Sequence, residues 1–180
     1  FKYSKNSQEI KVTGPIKTTE NEKLYVSEDN DMFIYDKAVE KINKDGNREA
    51  IIKFKKPIST IFSEGDNLFI SFKHSGLVYH NLKTNKTTDY RKNRLLSRNL
   101  PAGATSFYLE GKKLWLGNDE SGLYEVDVTN IESPKLVQHH TYNKTNPKSF
   151  SSSSVSCITN HSGLLFIGCL LYTSDAADES

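Results

Sequence analysis

Residues 111–117 read GKKLWLG, and after a four-residue polar gap residues 122–127 read GLYEVD. A turn, an apolar run, a short connection and a second run predict a β-hairpin. The same form returns in two further pairs of segments and begins once more near the end of the chain: 68–71 (LFIS) with 76–79 (GLVY), 24–27 (LYVS) with 33–36 (FIYD), and 165–168 (LFIG). The recurrence of the hairpin, more than any one copy, decides the fold.

The copies keep a constant internal spacing. In each complete copy, the leading apolar positions of the two strands are nine residues apart: 24 and 33, 68 and 77, 114 and 123. Successive copies begin 44, 46 and 51 residues apart. A hairpin repeated at about 40–50 residues is typical of β-propeller blades, which bury their surfaces only against one another. A single four-stranded sandwich would not explain the constant offset.

Flanking segments supply the outer strands of each blade. A β-prone segment precedes each hairpin, and a polar strand follows each complete one: 12–19, 58–62, 104–109 and 155–159 precede, and 50–54, 87–90 and 135–142 follow. Residues 37–48 are the one competitor for a helix, but their KDGN turn favours a connection between the third and fourth strands. We therefore predict an all-β fold, a partial β-propeller of about three four-stranded antiparallel blades, open at both ends.

The repeat also predicts how the chain is divided. The predicted segments are the end of a preceding blade (1–11), three blades (12–54, 55–90 and 91–142), the start of a further blade (143–168) and a tail (169–180). The tail, CLLYTSDAADES, interrupts a repeat and resembles the translated end of a transposon-based sequencing adapter. We predict that it is not native; a genuine polar surface loop is the alternative.

Composition excludes several classes of function. The 180 residues carry a formal net charge of +2, which gives no reason to expect a nucleic-acid partner. No run of about 18 apolar residues is present to span a bilayer. The two cysteines offer neither a disulfide framework nor metal-ligand spacing. No cofactor is predicted.

Two stretches carry a resemblance to a known family. Residues 142–168 contain YNKTNPKSFSSSSVSCI followed by SGLLFIG, and LWLG at 114–117 with GL at 122–123 repeats the second half of that pattern. This pattern is similar to the two-component regulator propeller repeats of bacterial hybrid sensor histidine kinases. The likeness covers residues 12–168, although Ser27 and Ser71 stand where the motif has Gly, and Met32 replaces the Gly before the next strand.

The resemblance implies a function. In that family the propellers form the periplasmic sensor of a membrane-spanning receptor, commonly one that responds to oligosaccharides released from glycans. The expected partners are an oligosaccharide, the remaining blades and downstream signalling domains of the parent chain, and, as a further option, a second copy in a homodimer. No enzymatic activity is expected in this segment. The alternatives are a propeller scaffold for protein–protein interaction and part of a propeller lyase or glycosidase.

Antiparallel alternation predicts where a ligand binds. Connections between the second and third strands share one face of the propeller with the long linkers between blades, and binding groups concentrate on such loops. Amide, carboxylate and basic side chains there suit sugar hydroxyls. The candidate ligand-binding residues are Asp29, Asn30, Asp31, Lys73, His74, Arg91, Arg94, Asn118, Asp119 and Glu120. Solvation of polar turns is the alternative explanation for each of them.

Other constellations predict no chemistry. Residues 29–31 begin like a calcium loop but lack the Gly and Glu that such a loop needs further on. His139 and His140 are adjacent on a predicted strand, so they point to opposite faces and cannot share a metal. Trp115 occupies a repeated apolar position and is predicted to pack between sheets, together with Tyr25, Phe69 and Phe166. Neither a catalytic nor a metal site is predicted.

Overall fold

The computed structural model describes residue 16 and residues 18–170. Within these residues the chain forms three four-stranded antiparallel sheets and one two-stranded sheet, which we call units 1 to 4. Unit 1 contains β1 (Lys23–Val26), β2 (Met32–Tyr35), β3 (Ala38–Ile42) and β4 (Arg48–Lys53). Unit 2 contains β5 (Thr60–Glu64), β6 (Asn67–Phe72), β7 (Gly76–Asn81) and β8 (Lys86–Asp89). Unit 3 contains β9 (Ser106–Glu110), β10 (Lys113–Asn118), β11 (Gly122–Asp127) and β12 (Lys135–His140), and unit 4 contains β13 (Val155–His161) and β14 (Leu164–Cys169).

The prediction of an all-β partial propeller is confirmed. In every unit the strands lie side by side in sequence order, as in a propeller blade. Helix is confined, in the described part of the chain, to a 3-10 turn at Tyr90–Lys92 and the single turn α1 (Leu96–Asn99), both between units 2 and 3. The predictions for residues 1–11 and 171–180 fall outside the described residues.

The predicted strand order within unit 1 is wrong. The repeat predicts residues 24–27 and 33–36 as the second and third strands, but they belong to the first and second, β1 and β2. The third strand is Ala38–Ile42, inside the stretch predicted to be a connection. Of the segment predicted as a first strand, 12–19, residues 12–15 and 17 lie outside the described residues, and residues 16, 18 and 19 form no strand.

Burial explains the error. A central strand is covered on both faces, so its residues form one continuous apolar run, and Met32–Tyr35 is buried at all four positions. In β1, by contrast, Leu24 is 53% exposed and Val26 44%. The nine-residue spacing therefore has a different origin in unit 1. There it joins the first and second strands, whereas in units 2 and 3 it joins the second and third.

A different spacing is common to units 2, 3 and 4. In each, a hydroxyl at the start of the first strand donates a hydrogen bond to a second-strand carbonyl twelve residues later. These bonds run from Ser59 to Ser71 (3.1 Å), from Thr105 to Gly117 (3.1 Å) and from Ser156 to Gly168 (3.0 Å). The hydroxyl thus fastens the beginning of each unit to its own central strand.

The cores lie between neighbouring sheets. One face of β6 presents Leu68, Ile70 and Phe72 to unit 1, and its other face presents Phe69 to unit 3. By the same alternation Phe33, Phe69 and Trp115 all face the following unit, and Phe166 occupies the equivalent position in unit 4. Phe33 and not Tyr25 is therefore the counterpart of Trp115. Trp115 is only half-buried, since unit 4 has two strands in the described residues.

Unit 4 runs slightly further than predicted. Val155 pairs with Cys169, so β14 includes the residue at which the tail was expected to begin. The backbone amide of Leu170 also donates to the Ser154 carbonyl at 2.9 Å. The sequence pattern predicts that the strand ends at Gly168, but β14 extends one residue further, to Cys169.

The connections fall on two faces because adjacent strands are antiparallel. The linker face carries the connections between second and third strands and the linkers between units: 36–37, 54–59, 73–75, 90–105, 119–121 and 141–154. The turn face carries the remaining connections: 27–31, 43–47, 65–66, 82–85, 111–112, 128–134 and 162–163. This division determines on which face of the propeller each candidate connection lies.

His80 makes the stability of the fold sensitive to pH. Its side chain is buried in β7, where Nδ1 lies 2.8 Å from the Thr87 hydroxyl oxygen, and burial lowers the imidazole pKa below its ordinary value of 6.5. As the pH falls below about 6.5, the unfolded chain takes up a proton that the folded chain resists, so we expect the free energy of unfolding to decrease. Urea unfolding of wild type and His80→Asn at about pH 7.5 and about pH 5 measures this. A pH-dependent loss of the same size in both proteins would contradict it.

Candidate functional site

The structure divides the predicted site residues between the two faces. Lys73, His74, Asp119 and Glu120 lie in the linker-face connections of units 2 and 3, as predicted. Residues 29–31 do not join them, because they connect β1 to β2 and therefore lie on the turn face. The prediction of one shared face for all these residues is wrong for this segment.

On the turn face, residues 29–31 make contacts with neighbouring turns and strands of the same chain. An Asp29 carboxylate oxygen accepts a hydrogen bond from the Gly65 amide of the neighbouring turn at 2.8 Å. Asp31 forms a 2.6 Å ion pair with Lys41 on β3, and Asn30 takes up a left-handed backbone with φ of 64°. These contacts belong to the turns between strands. The connection between β2 and β3 is 36–37, which the sequence pattern does not reveal.

A first cleft opens on the linker face between units 2 and 3. It has a volume of about 200 Å³ and is lined by the strand starts and connections of both units: Ser59, Thr60, Lys73, His74, Gly103, Ala104, Thr105, Asn118 and Asp119. Lys73 and Asp119 hold equivalent positions in consecutive units, each being the first residue after the second strand. The cleft therefore presents an ammonium group on one side and a carboxylate on the other.

A second cleft adjoins the first on the outer side of the His74 connection. Its volume is about 220 Å³, and its lining is shared by that connection and the linker that carries α1: His74, Ser75, Gly76, Leu77, Tyr90, Arg91, Ser97, Leu100, Pro101 and Ala102. His74 is the residue common to both clefts. A ligand on this face can contact His74 from either side.

His74 is held in an unfavourable backbone conformation. Its φ is 53°, in the left-handed region that residues with a Cβ adopt at a cost of about 1–2 kcal/mol. Its Nδ1 lies 3.8 Å from a carboxylate oxygen of Glu120, which occupies the equivalent position in unit 3. Backbone strain of this kind concentrates at functional sites. No residue pattern predicts this conformation at a histidine, since only Gly indicates a left-handed backbone reliably.

Asn118 is a buried residue that holds the connection 119–121 in place by hydrogen bonds. It is only 8% exposed, and its amide nitrogen donates to the Gly103 carbonyl at 2.8 Å. Its carbonyl oxygen accepts from the Glu120 amide (2.9 Å) and from the amide and hydroxyl of Ser121 (both 2.7 Å). These bonds leave the amide little capacity for a ligand and fix the conformation of the connection that carries Asp119 and Glu120.

Arg91 is also engaged within the chain. Its Nε and a terminal nitrogen donate to the two carboxylate oxygens of Asp89 at 2.7 and 2.8 Å, and these bonds lower the pKa of Asp89. Its guanidinium lies 4.4 Å from the centre of the Phe72 ring. Arg91 therefore forms a wall of the second cleft, whereas Arg94 is exposed on the same linker.

The two adjacent histidines of β12 turn to opposite sides. His139 stacks on Tyr124 with ring centres 4.0 Å apart, and His140 stacks on Trp115 at 6.3 Å. Residue 16 and residues 18–170 contain no cluster of three or more His, Cys, Asp or Glu side chains arranged to hold a metal ion. Across the same residues, no helix has the length and apolar character needed to cross a membrane.

Comparison with known proteins defines the class of fold. No family model matches the sequence, and no curated relative matches it. Solved structures do match. A Saccharomyces cerevisiae structure of dbp5 bound to nup159, gle1, ip6 and adp has a TM-score of 0.53 at 15% identity, covering 88% of this chain and 41% of that chain.

Extracellular domains of putative hybrid two component systems provide stronger matches. The extracellular domain of the putative hybrid two component system BT4673 from B. thetaiotaomicron matches with a TM-score of 0.61 and 15% identity, over 81% of this chain and 20% of that chain. The corresponding domain of BT3049 from the same organism has a TM-score of 0.58 and 15% identity, over 82% and 22%. The chain spans about a fifth of the length of these domains. The predicted resemblance to the extracellular propellers of hybrid two-component systems is confirmed for the fold.

Proposed function

We propose that this chain is part of the extracytoplasmic ligand-sensing propeller of a bacterial hybrid two-component receptor, and that it binds glycan-derived oligosaccharides at the two clefts beside His74. The likeness to extracellular domains of hybrid two-component systems supports the class of receptor. The observation that carries the site is the strained His74 connection, which stands between two clefts at a junction of units.

The chemistry of the clefts suits hydroxyl-rich ligands. Thr60 brings a hydroxyl group to the first cleft, and Asp119 brings a carboxylate that can accept hydrogen bonds from a sugar. The hydroxyls of Ser59 and Thr105 donate within the chain, and their oxygens can still accept a hydrogen bond. Rigid strands hold these groups, while the connection 73–75 lies at the surface between them. The proposal is one of binding, and no chemical step is assigned to these residues.

The remainder of the receptor is also part of the proposal. In this account further blades complete the ring, the sensor lies in the periplasm, and a transmembrane helix connects it to a histidine kinase elsewhere in the parent protein. A homodimer is the arrangement through which such a receptor would transmit the signal. Sequencing the parental reading frame tests this part, and a stop codon soon after further blades would contradict it.

A second candidate function is docking of a protein partner on the linker face. It is favoured by the likeness to the dbp5–nup159–gle1 structure, which contains several proteins in one assembly. The two candidates differ in what occupies the clefts. A protein partner would cover the whole face, whereas an oligosaccharide would contact only the cleft walls.

Replacement of His74 by Gly tests the site without disturbing the fold. Gly tolerates a φ of 53°, so we expect the free energy of unfolding to change by less than about 1 kcal/mol. Removal of the imidazole should weaken oligosaccharide binding by at least about tenfold. Isothermal titration of the full chain with a panel of glycan-derived oligosaccharides measures both proteins.

Asn85→Gly is the matched control. Asn85 has a φ of 56° but lies on the turn face, between β7 and β8. It should bind the same oligosaccharides as tightly as wild type. Failure of every oligosaccharide to bind wild type, or equal binding by wild type and His74→Gly, would contradict the proposed function.

A further inference from the structure

The two faces differ in charge. The linker face has ten Lys or Arg against three Asp or Glu: Lys37, Lys55, Lys56, Lys73, Arg91, Lys92, Arg94, Arg98, Lys144 and Lys148 against Asp36, Asp119 and Glu120. The connections of the turn face have three against six: Lys44, Lys83 and Lys112 against Glu28, Asp29, Asp31, Asp45, Asp66 and Glu132. The small net charge of the whole chain conceals this separation.

The basic side chains of the linker face are available to a ligand. Among the described residues, Arg91 alone of the ten forms an ion pair, with Asp89. Lys56 is the next most engaged, through a 3.1 Å hydrogen bond to the Ser75 hydroxyl. Elsewhere in the described residues, ion pairs form between Lys41 and Asp31, between Arg48 and both Glu22 and Glu40, between Lys86 and Glu132, and between Lys113 and Glu125. Uncompensated charge of one sign beside a cleft raises the local concentration of ligands of the opposite sign.

Aromatic stacking is poorly represented in the clefts. Neutral sugars usually lay the apolar side of a ring on an exposed aromatic face. The first cleft has no Phe, Tyr or Trp in its lining, and the second has only Tyr90, which is 3% exposed. Recognition in these clefts therefore relies on charge and hydrogen bonds.

We infer that the ligand of the His74 clefts is an acidic oligosaccharide, one whose sugar rings carry carboxylate or sulfate groups. This inference rests on the proposed function and specifies its class of ligand. Lys73 meets an anionic group from the unit 2 side of the first cleft. Asp119, on the unit 3 side, accepts hydrogen bonds from sugar hydroxyls. The opposite charges of these equivalent positions orient the sugar across the junction between the two units.

The test compares matched sugars with the full chain. A tetramer of galacturonic acid should bind at least about tenfold more tightly than its fully methyl-esterified form, which has the same rings without the charge. A sulfated and an unsulfated chondroitin tetrasaccharide carry the same carboxylates, so a difference in affinity between them shows what the sulfate adds. The affinity for the acidic sugar should fall as the salt concentration rises from about 50 to about 500 mM, because salt screens exposed charges.

Two double variants test whether the charges that bind the acidic sugar lie on the linker face. Lys73→Ala combined with Arg94→Ala should weaken binding of the acidic tetramer by at least about tenfold. Lys83→Ala combined with Lys112→Ala removes the same charge from the turn face and should leave the affinity unchanged. Equal weakening by the two pairs would overturn the inference.

Two further outcomes separate this inference from the proposed function. If the esterified tetramer or another neutral oligosaccharide binds as tightly as the acidic sugars, and His74→Gly abolishes that binding, the inference fails while the proposed function stands. If a polyglutamate peptide of equal charge binds as tightly as the acidic sugars, the face recognises anions without regard to sugar, and the inference also fails.

Discussion

Phe69→Ala will reduce the free energy of unfolding by about 3–5 kcal/mol, the usual cost of truncating a buried Phe. Phe69 is 1% exposed on β6 and lies at the centre of the core between units 2 and 3. Its ring centre is 5.4 Å from that of Tyr79 and 6.3 Å from those of Phe62 and Phe107. Truncation leaves a cavity that the surrounding strands cannot close, because their positions are fixed by hydrogen bonds on both sides.

Phe166→Ala is the matched control for this substitution. Phe166 holds the equivalent position in unit 4 but is 50% exposed, so its truncation should cost less than about 1.5 kcal/mol. Urea unfolding followed by circular dichroism measures both variants. Equal losses would show that the face of unit 4 is covered in solution, contrary to the structure.

Asn118→Ala will destabilise the chain by about 2–3 kcal/mol and release the connection between β10 and β11. The substitution removes four hydrogen bonds and leaves the Gly103 carbonyl and the amides of Glu120 and Ser121 without their partner. Urea unfolding measures the loss of stability. Amide hydrogen exchange should show faster exchange at Glu120 and Ser121 than in wild type.

The control for Asn118 is another asparagine that caps a turn. The Asn43 side-chain oxygen accepts from the amides of Asp45 and Asn47 at 3.0 and 2.9 Å, but Asn43 is exposed. Water can replace its bonds, so Asn43→Ala should cost less than about 1 kcal/mol. A loss for Asn118→Ala no greater than that for Asn43→Ala would show that burial adds nothing to the cap.

The sequence predicted the repeat correctly where the strands are buried on both faces. The central strands β6 and β10 combine an apolar run with a following Gly, and both were predicted in the correct place. Unit 1 was misread because β1 has an apolar run of the same type although Leu24 and Val26 are largely exposed. Hydrophobicity alone does not distinguish a central strand from the first strand of a sheet.

The sequence could predict the face on which the candidate site lies, but not the shape of the site. Once the strands of units 2 and 3 were correct, alternation placed His74 and Glu120 at the same end, and their proximity followed from the equivalence of the two connections. The same logic misplaced Asp29, because one strand too many had been assumed before it. The clefts and the left-handed backbone of His74 depend on how linker 90–105 packs over unit 2, for example through the Gly76 amide and the Ala102 carbonyl. No local sequence pattern encodes such packing.

The most extensive approaches between sheets involve first strands, β5 with β9 and β13 with both β9 and β10, and the fourth strands make no comparable approach to another sheet in the described residues. Units 2 to 4 are therefore wedges, and a row of wedges curves towards its narrow side. The first cleft opens at that narrow side, where Thr60 begins β5 and Thr105 directly precedes β9. Its width consequently depends on the angle that each unit contributes to the curvature. In a closed ring that angle is fixed by the number of units, so the blade count of a parent protein sets the size of molecule that its centre can admit.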